Sequence, residues 1–347
     1  MGPFRLLSAG AKDVCEQHDM SCDSDKNTFS MSTEQVRGTL HRFTHDAMAC
    51  TWGVYILGEE RDYARQAAQA AFEEVDRLEQ ELSRFVEHSD IARINALSAG
   101  GQVLIGADAM QCLQLASEIH RQTRGAFDVT IGGMLERTAK DKYDKPDVVD
   151  DQRSTPDPPS GMCLLKIDRR TRTVDVGADG LIVDLGGIGK GYAIDRAVSV
   201  LSDWSIETAL VHSGQSTLLA LGGPPDKDGW TVAIRDPNDQ AKTLGDVHLR
   251  DRALSGSGAL LHGQHIIDPR TGQRANGPVS AWCIAESAAL ADALSTAFMV
   301  LTEGEVEDYC RQHADIGAVQ YVQQSGCVTL RCFGLASDLL DQGNGAS

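Results

Sequence analysis

The chain of 347 residues is short of basic residues, of paired cysteines and of long apolar runs, and each shortage removes a class of protein. There are 32 Lys and Arg against 50 Asp and Glu, a formal net charge of -18. Nucleic acids and anionic membranes attract basic surfaces, so this balance argues against a binder of either. An anionic small substrate would then need a local positive patch or a metal ion. The nine cysteines include no Cys-x-x-Cys pair, which disfavours a zinc knuckle or a dense disulfide framework and suits reduced thiols in a cytoplasmic compartment. Cys15, His18 and Cys22 lie close together but lack further ligands for a metal. No stretch approaches the ~18 apolar residues of a membrane span, and the short apolar run at Leu6 and Leu7 falls far below a signal-peptide core. The expectation is a cytoplasmic protein without stable membrane insertion.

What is present reads as one large α+β (mixed α/β) domain over about 41–340, with mixed sheets flanked by helices. Residues 1–40 are polar and aperiodic, which predicts a disordered N-terminal extension. Phe43 to Leu57 reads as a strand. Ala71, Val75, Leu78, Leu82 and Phe85 form one helical stripe, and Cys112, Leu115 and Ile119 suggest a second helix closing at Gly125. Gly125-Ala-Phe-Asp-Val-Thr-Ile-Gly-Gly133 is a glycine-bounded apolar run with a single carboxylate, Asp128. Residues 138–161, rich in Asp, Lys and Pro, predict an exposed polar insertion. Cys163–Val176 resembles a hairpin, Leu210–Ala220 a strand, turn and strand, and Trp230–Ile234 and Val247–Leu249 further strands.

Three segments carry chemistry. In Asp184-Leu-Gly-Gly-Ile-Gly-Lys-Gly-Tyr192, four glycines and Lys190 fall between the strand-like Leu181-Ile-Val and a helical pattern at Ile194, Ala197, Val198 and Leu201. Glycine amides leading into a helix N-terminus can cradle phosphate. Lys190 is followed by Gly191 rather than Ser or Thr, and no G-x-G-x-x-G occurs in the segment, so neither a P-loop nor a Rossmann fingerprint is present. A tight packing turn is the plain alternative. Ser287 to Leu301 is nearly apolar all round, with Asp292 as its only charge. A buried lone carboxylate needs a partner. Ser295 and Thr296 share its helical face, so the set suits a hard cation such as Mg²⁺; the plain alternative is Asp292 paired with a buried Arg, or Ser and Thr bonded back to the helix carbonyls. His265, ahead of the turn-forming Asp268-Pro-Arg-Thr-Gly272, is a candidate general base, with His262 as competitor.

Taken together with Leu82-Ser-Arg-Phe85, these motifs resemble the ApbE family of FAD:protein FMN transferases, from about Phe43 to about Leu335. The resemblance implies FAD as substrate and Mg²⁺ as cofactor. The FMN half would move to a Thr or Ser hydroxyl of an acceptor flavoprotein, with AMP released. It implies flavin contacts at Met48, Phe85, Ala126, Phe127 and Asp128, FAD contacts at Asp184, Lys190 and Ile267, metal ligation by Gly187, Asp292, Ser295 and Thr296, and His265 as the base. The sequence departs from the family's Met-Gly-Thr at Met48-Ala-Cys-Thr51, from Asn-x-Gly-Gly-Asp at His212-Ser-Gly-Gln-Ser216, and from Thr-Ser-Gly at Leu254-Ser-Gly-Ser-Gly258. A Mg²⁺-dependent FAD pyrophosphatase and a non-catalytic FAD-binding protein are the alternatives.

Overall fold

Eight strands, taken in chain order, each pair antiparallel with the next to form the central sheet: Leu40–Ala47, Cys50–Leu57, Ala209–Ser213, Thr217–Leu221, Arg252–Gly258, Ser280–Ala285, Gly317–Gln324 and Cys327–Gly334. The structure, a computed structural model, describes residues 29–31, 38–144, 157–239, 241–258, 266–324 and 327–341. The sheet is covered on both faces. Helices Arg61–Leu82, Gly189–Asp203 and Ala288–Phe298 lie over one face, packed on one another and on the strands. The other face meets a four-stranded sheet in the order Phe29–Met31, Trp230–Arg235, Thr243–Leu249, Leu340–Asp341, around a second core that contains Trp230, Trp282 and Tyr321. Double coverage explains why all six residues of Ser280–Ala285 are buried and why that strand shows no polar alternation. A three-stranded sheet of Gln102–Leu104, Thr173–Val176 and Leu165–Asp168 and a two-stranded one of Ile267–Asp268 with Gln273–Arg274 are separate from these two.

The α+β class is the one expected, with informative differences in detail. Phe43–Leu57 is two strands rather than one, turning at Met48 and Ala49. Leu181-Ile-Val is extended but makes only an isolated bridge from Ile182 to Ile131, so the glycine loop is fed by a bridge and not by a strand. Helix Gly132–Asp144 runs into the segment read as a polar insertion, and Arg137 pairs with Asp157 at 2.6 Å across it. Phe29–Met31, inside the segment read as an extension, pairs with Ile234–Val232; three residues are too few to show a period. No disulfide forms among the described cysteines, and no described helix is long and apolar enough to cross a membrane.

The contact that matters most for the site is between helices Gly189–Asp203 and Ala288–Phe298. Asp195 of the first accepts from Ser287 Oγ at 2.7 Å and from the N–H groups of Ala288 at 2.7 Å and Ala289 at 3.0 Å. It thus satisfies donors that a helix start leaves without intrahelical partners. Burial pushes the Asp195 carboxyl above its usual pKa, and these donors act against that rise. At Gly191 the two backbones touch: a Cβ there would stand 2.2 Å from the Ala288 carbonyl oxygen. We therefore expect Gly191→Ala to force the helices apart and to cost about 1–3 kcal/mol, read as a lower urea midpoint with unchanged slope. An unmoved midpoint would show that the contact is not under constraint.

Candidate active site

Asp292 is 5% exposed on a helix whose other inward residues are apolar or hydroxylic. Its Oδ2 accepts from Gly191 N at 3.1 Å, so the glycine loop's helix reaches directly onto the carboxylate. Oδ1 faces Thr217 Oγ1 at 3.4 Å and Ser255 Oγ at 3.5 Å, both long for hydroxyl donors. Burial raises its pKa, while the positive charge of Lys190, the Gly191 N–H and the two hydroxyls pull the other way. The carboxylate is therefore held in a buried place with fewer strong partners than a buried charge requires.

Ser295 and Thr296 stand one turn on. Both hydroxyls bond back to the Asp292 carbonyl, at 2.9 and 3.3 Å, as the plain alternative anticipated. They also meet Ser257 Oγ, at 2.9 Å from Ser295 and 3.3 Å from Thr296. Ser295 is fully buried, whereas Thr296 and Ser257 are partly exposed. Gly187 approaches from the loop: a Cβ there would lie 3.4 Å from Thr296 Oγ1 and 3.3 Å from the Phe127 ring. One carboxylate, several hydroxyls and a nearby loop make an all-oxygen donor set, which fits a hard cation and not a thiophilic one. Among the described residues no group of three or more His, Cys, Asp or Glu could hold a metal. A cation here would thus rest on one carboxylate, hydroxyl and carbonyl oxygens, water and the substrate's own phosphates.

Around this centre the structure gathers most of the other expected residues. Asp184 Oδ1 accepts from Gly186 N at 2.7 Å and shapes the loop, and Lys190, on the first turn of its helix, donates to the Gly186 carbonyl at 3.1 Å. Ala126, Phe127 and Asp128 are buried. Asp128 Oδ1 accepts from Thr130 N and Oγ1 at 2.7 and 2.6 Å. His120 Nδ1 lies 3.0 Å from the Phe127 carbonyl, to which it can only donate. Ile267 is buried in a two-residue strand paired with Gln273–Arg274, and its turn closes by Gly272 N to Asp268 O at 2.8 Å. The Gly125 and Asp268 turns touch, since a Cβ at Gly125 would lie 3.5 Å from Arg270 Cγ.

Met48 sits at the hairpin turn with φ of 48°, followed by Ala49 at 59°. Two residues later, Cys50 is close enough to Lys190 and Asp292 for both charges to act on its thiol, whose pKa burial raises. The turn therefore borders the site. Phe85 is 83% exposed. His265 and His262 lie outside the described residues.

Sequence reasoning missed Thr217, Ser255, Ser257 and Arg84. For the two serines a signal existed: Ala253, Ser255 and Ser257 recur at period two, so one strand face presents hydroxyls to the Asp292 helix. Thr217 carries no such local mark, and Arg84 lies within the Leu82-Ser-Arg-Phe85 motif without a role assigned to it there.

Because burial raises the Asp292 pKa, its ionised form costs stability in the metal-free fold at pH values above that pKa, and the cost fades as pH falls through it. Asp292→Asn should therefore raise the thermal midpoint in EDTA, most at alkaline pH and progressively less on acidification. A variant less stable than wild type at every pH would contradict this assignment.

A family model described as the ApbE family matches residues 48–320. The chain is 29% identical over 249 residues to an FAD:protein FMN transferase of Vibrio cholerae, covering 66% of this chain and 73% of the relative. It is also 29% identical over 252 residues to a protein of the same name from Rhodobacter capsulatus, covering 69% of this chain and 47% of that longer relative. The solved flavin transferase ApbE from Vibrio cholerae superposes with a TM-score of 0.76 at 22% identity, over 87% of this chain and 100% of the other, which shows the shared fold. The family match spans well over half of the sequence, and the chain belongs to the ApbE family.

Proposed function

We propose that this protein transfers the FMN moiety of FAD to a Thr or Ser hydroxyl of an acceptor flavoprotein with release of AMP, using Mg²⁺. The observation that supports it best is the junction of Asp292, Thr296 and Gly187, an undersatisfied buried carboxylate with hydroxyl oxygens set against a glycine loop. The names of the two relatives favour the same activity.

Gly187, Asp292, Thr296 and Ser295 would hold the cation, with Ser295 the least accessible of the four. When bound, Mg²⁺ would supply positive charge to the FAD pyrophosphate as the anhydride breaks. The chain's own residues do the rest. Lys190 places a cation on the loop, near the phosphates, in an otherwise acidic protein. Asp184 fixes the loop's turn through the Gly186 amide, so the loop is formed before substrate arrives. The Phe127 ring lies beside Gly187. His265 would take the proton from the acceptor hydroxyl, as the sequence motif suggests. The hydroxyl oxygen then forms its bond to the phosphorus of the FMN half, and the bond to the bridging oxygen breaks, with AMP leaving on that electron pair.

Incubation with FAD and Mg²⁺, with and without an acceptor flavoprotein domain, should give AMP together with an FMN-sized mass gain on the acceptor. AMP without mass gain would replace this reading by FAD hydrolysis, and FAD binding with neither product by a carrier role. His265→Ala should spare FAD binding and slow transfer by ~10²-fold or more; an unchanged rate would remove the base from that position.

A further inference from the structure

Phe85 is the most exposed large apolar side chain among the described residues, at 83%, and it stands on a segment that is not loose. Ser83 O accepts from Val86 N at 3.2 Å and from Ser89 Oγ at 2.6 Å, and Phe85 N donates to Ser83 Oγ at 3.3 Å. Next to the ring, Arg84 is largely covered, its side chain 13% exposed. Its guanidinium carbon lies 4.6 Å from the Phe85 ring centroid, within the range of cation–π attraction. Nη1 donates to Glu136 Oε1 at 2.7 Å. Nε lies 2.7 Å from Asp184 Oδ2 as an ion pair, with its N–H not aligned for a hydrogen bond.

Two carboxylates from different elements therefore hold one guanidinium, Glu136 from helix Gly132–Asp144 and Asp184 from the glycine loop. Their charge offsets that of Arg84, so Arg84 is poorly suited to bind phosphate itself. Its two remaining functions are mechanical: it ties the glycine loop to the Ser83–Ser89 turn, and it fixes one face of a solvent-exposed ring. An exposed ring held in one pose offers a stacking surface to a planar aromatic ligand.

We propose that Arg84 is a positioning residue that sets the Phe85 ring against the glycine loop, so that the flavin end of FAD stacks on Phe85 while its pyrophosphate lies at Gly187. This rests on the flavin-transfer reading above and on the flavin contact at Phe85 that the family resemblance implies; what it adds is Arg84 and the way Arg84 acts through the ring. A planar group is gained by the ligand only if it carries the flavin, so the effect must separate FAD from ADP, which has the phosphates and adenine without the flavin.

The test is calorimetric binding of FAD and of ADP to the full chain in Mg²⁺, for wild type, Arg84→Gln, Phe85→Ala and the double variant. Arg84→Gln and Phe85→Ala should each weaken FAD about three- to tenfold, the span of a cation–π or stacking contact, and leave ADP within about twofold. The double variant should bind FAD no more weakly than Phe85→Ala alone, since the arginine acts through the ring. Glu136→Gln, which leaves the loop untouched, should give a smaller loss with the same selectivity and serves if Arg84→Gln folds poorly. Equal losses for FAD and ADP would assign Arg84 to loop structure only and overturn the proposal, as would additive losses or unchanged FAD affinity. If wild type binds ADP and FAD equally or neither at all, the flavin-transfer reading itself falls, and this inference with it.

Discussion

A carboxylate buried on an apolar helix is the constraint from which the rest of the site follows. Desolvating an ion costs several kcal/mol unless other groups compensate, and at Asp292 the compensation comes from three directions. The helix carrying Lys190 supplies the Gly191 amide, strand Thr217–Leu221 supplies Thr217, and strand Arg252–Gly258 supplies Ser255. The amide can arrive only because residue 191 lacks a Cβ. The helix pair can hold that distance because Asp195 caps the start of the Asp292 helix from the side. Glycine, cap and carboxylate are one arrangement: the cap holds the helix start that Gly191 approaches, and that approach brings the amide to Asp292.

The same arrangement shows how an acidic chain can present positive charge to an anionic ligand. Lys190 and Arg84 are both fixed by oxygens of the glycine loop, Lys190 by the Gly186 carbonyl and Arg84 by the Asp184 carboxylate. Neither extends freely into solvent. Lys190 keeps its charge within reach of Asp292 and Cys50, whereas Arg84 spends its charge on two carboxylates and contributes geometry. A net charge of -18 is thus compatible with phosphate chemistry, because the sign that matters is local and is set by the first turn of one helix.

The sequence showed the pieces of this site more clearly than their junctions. The apolar helix with one Asp, the glycine segment and the Asp268 turn were legible because each breaks a local pattern: a charge in an apolar run, glycines between periodic segments, turn residues in series. The hairpin of Leu165–Asp168 with Thr173–Val176 was legible from its alternating apolar and polar residues, and the strands at Ala209–Ser213 and Thr217–Leu221 as short apolar runs on either side of a Ser-Gly-Gln-Ser turn. What was not legible depended on chain-distant partners. Arg84 meets Glu136 and Asp184 across 52 and 100 positions, and no spacing rule connects them. Leu181-Ile-Val read as a strand because three apolar residues carry no information about whether a neighbour exists to pair with.

The turn at Met48 and Ala49 argues that part of the site's rim is kept under strain. A two-residue hairpin in which both central residues have positive φ is the geometry that normally selects Asn-Gly, yet here a Met and an Ala occupy it with φ of 48° and 59°. A non-glycine residue in that region costs roughly 1–2 kcal/mol, and the Cys50–Ala47 register leaves no slack in which to relieve it. Glycine at the second position would remove part of that cost but also the side chain at Ala49 and much of the stiffness around Met48. Met48 packs its partly buried side chain on the main core, so the core bears on the turn and holds it in place. The strain is therefore carried by the packing beneath it.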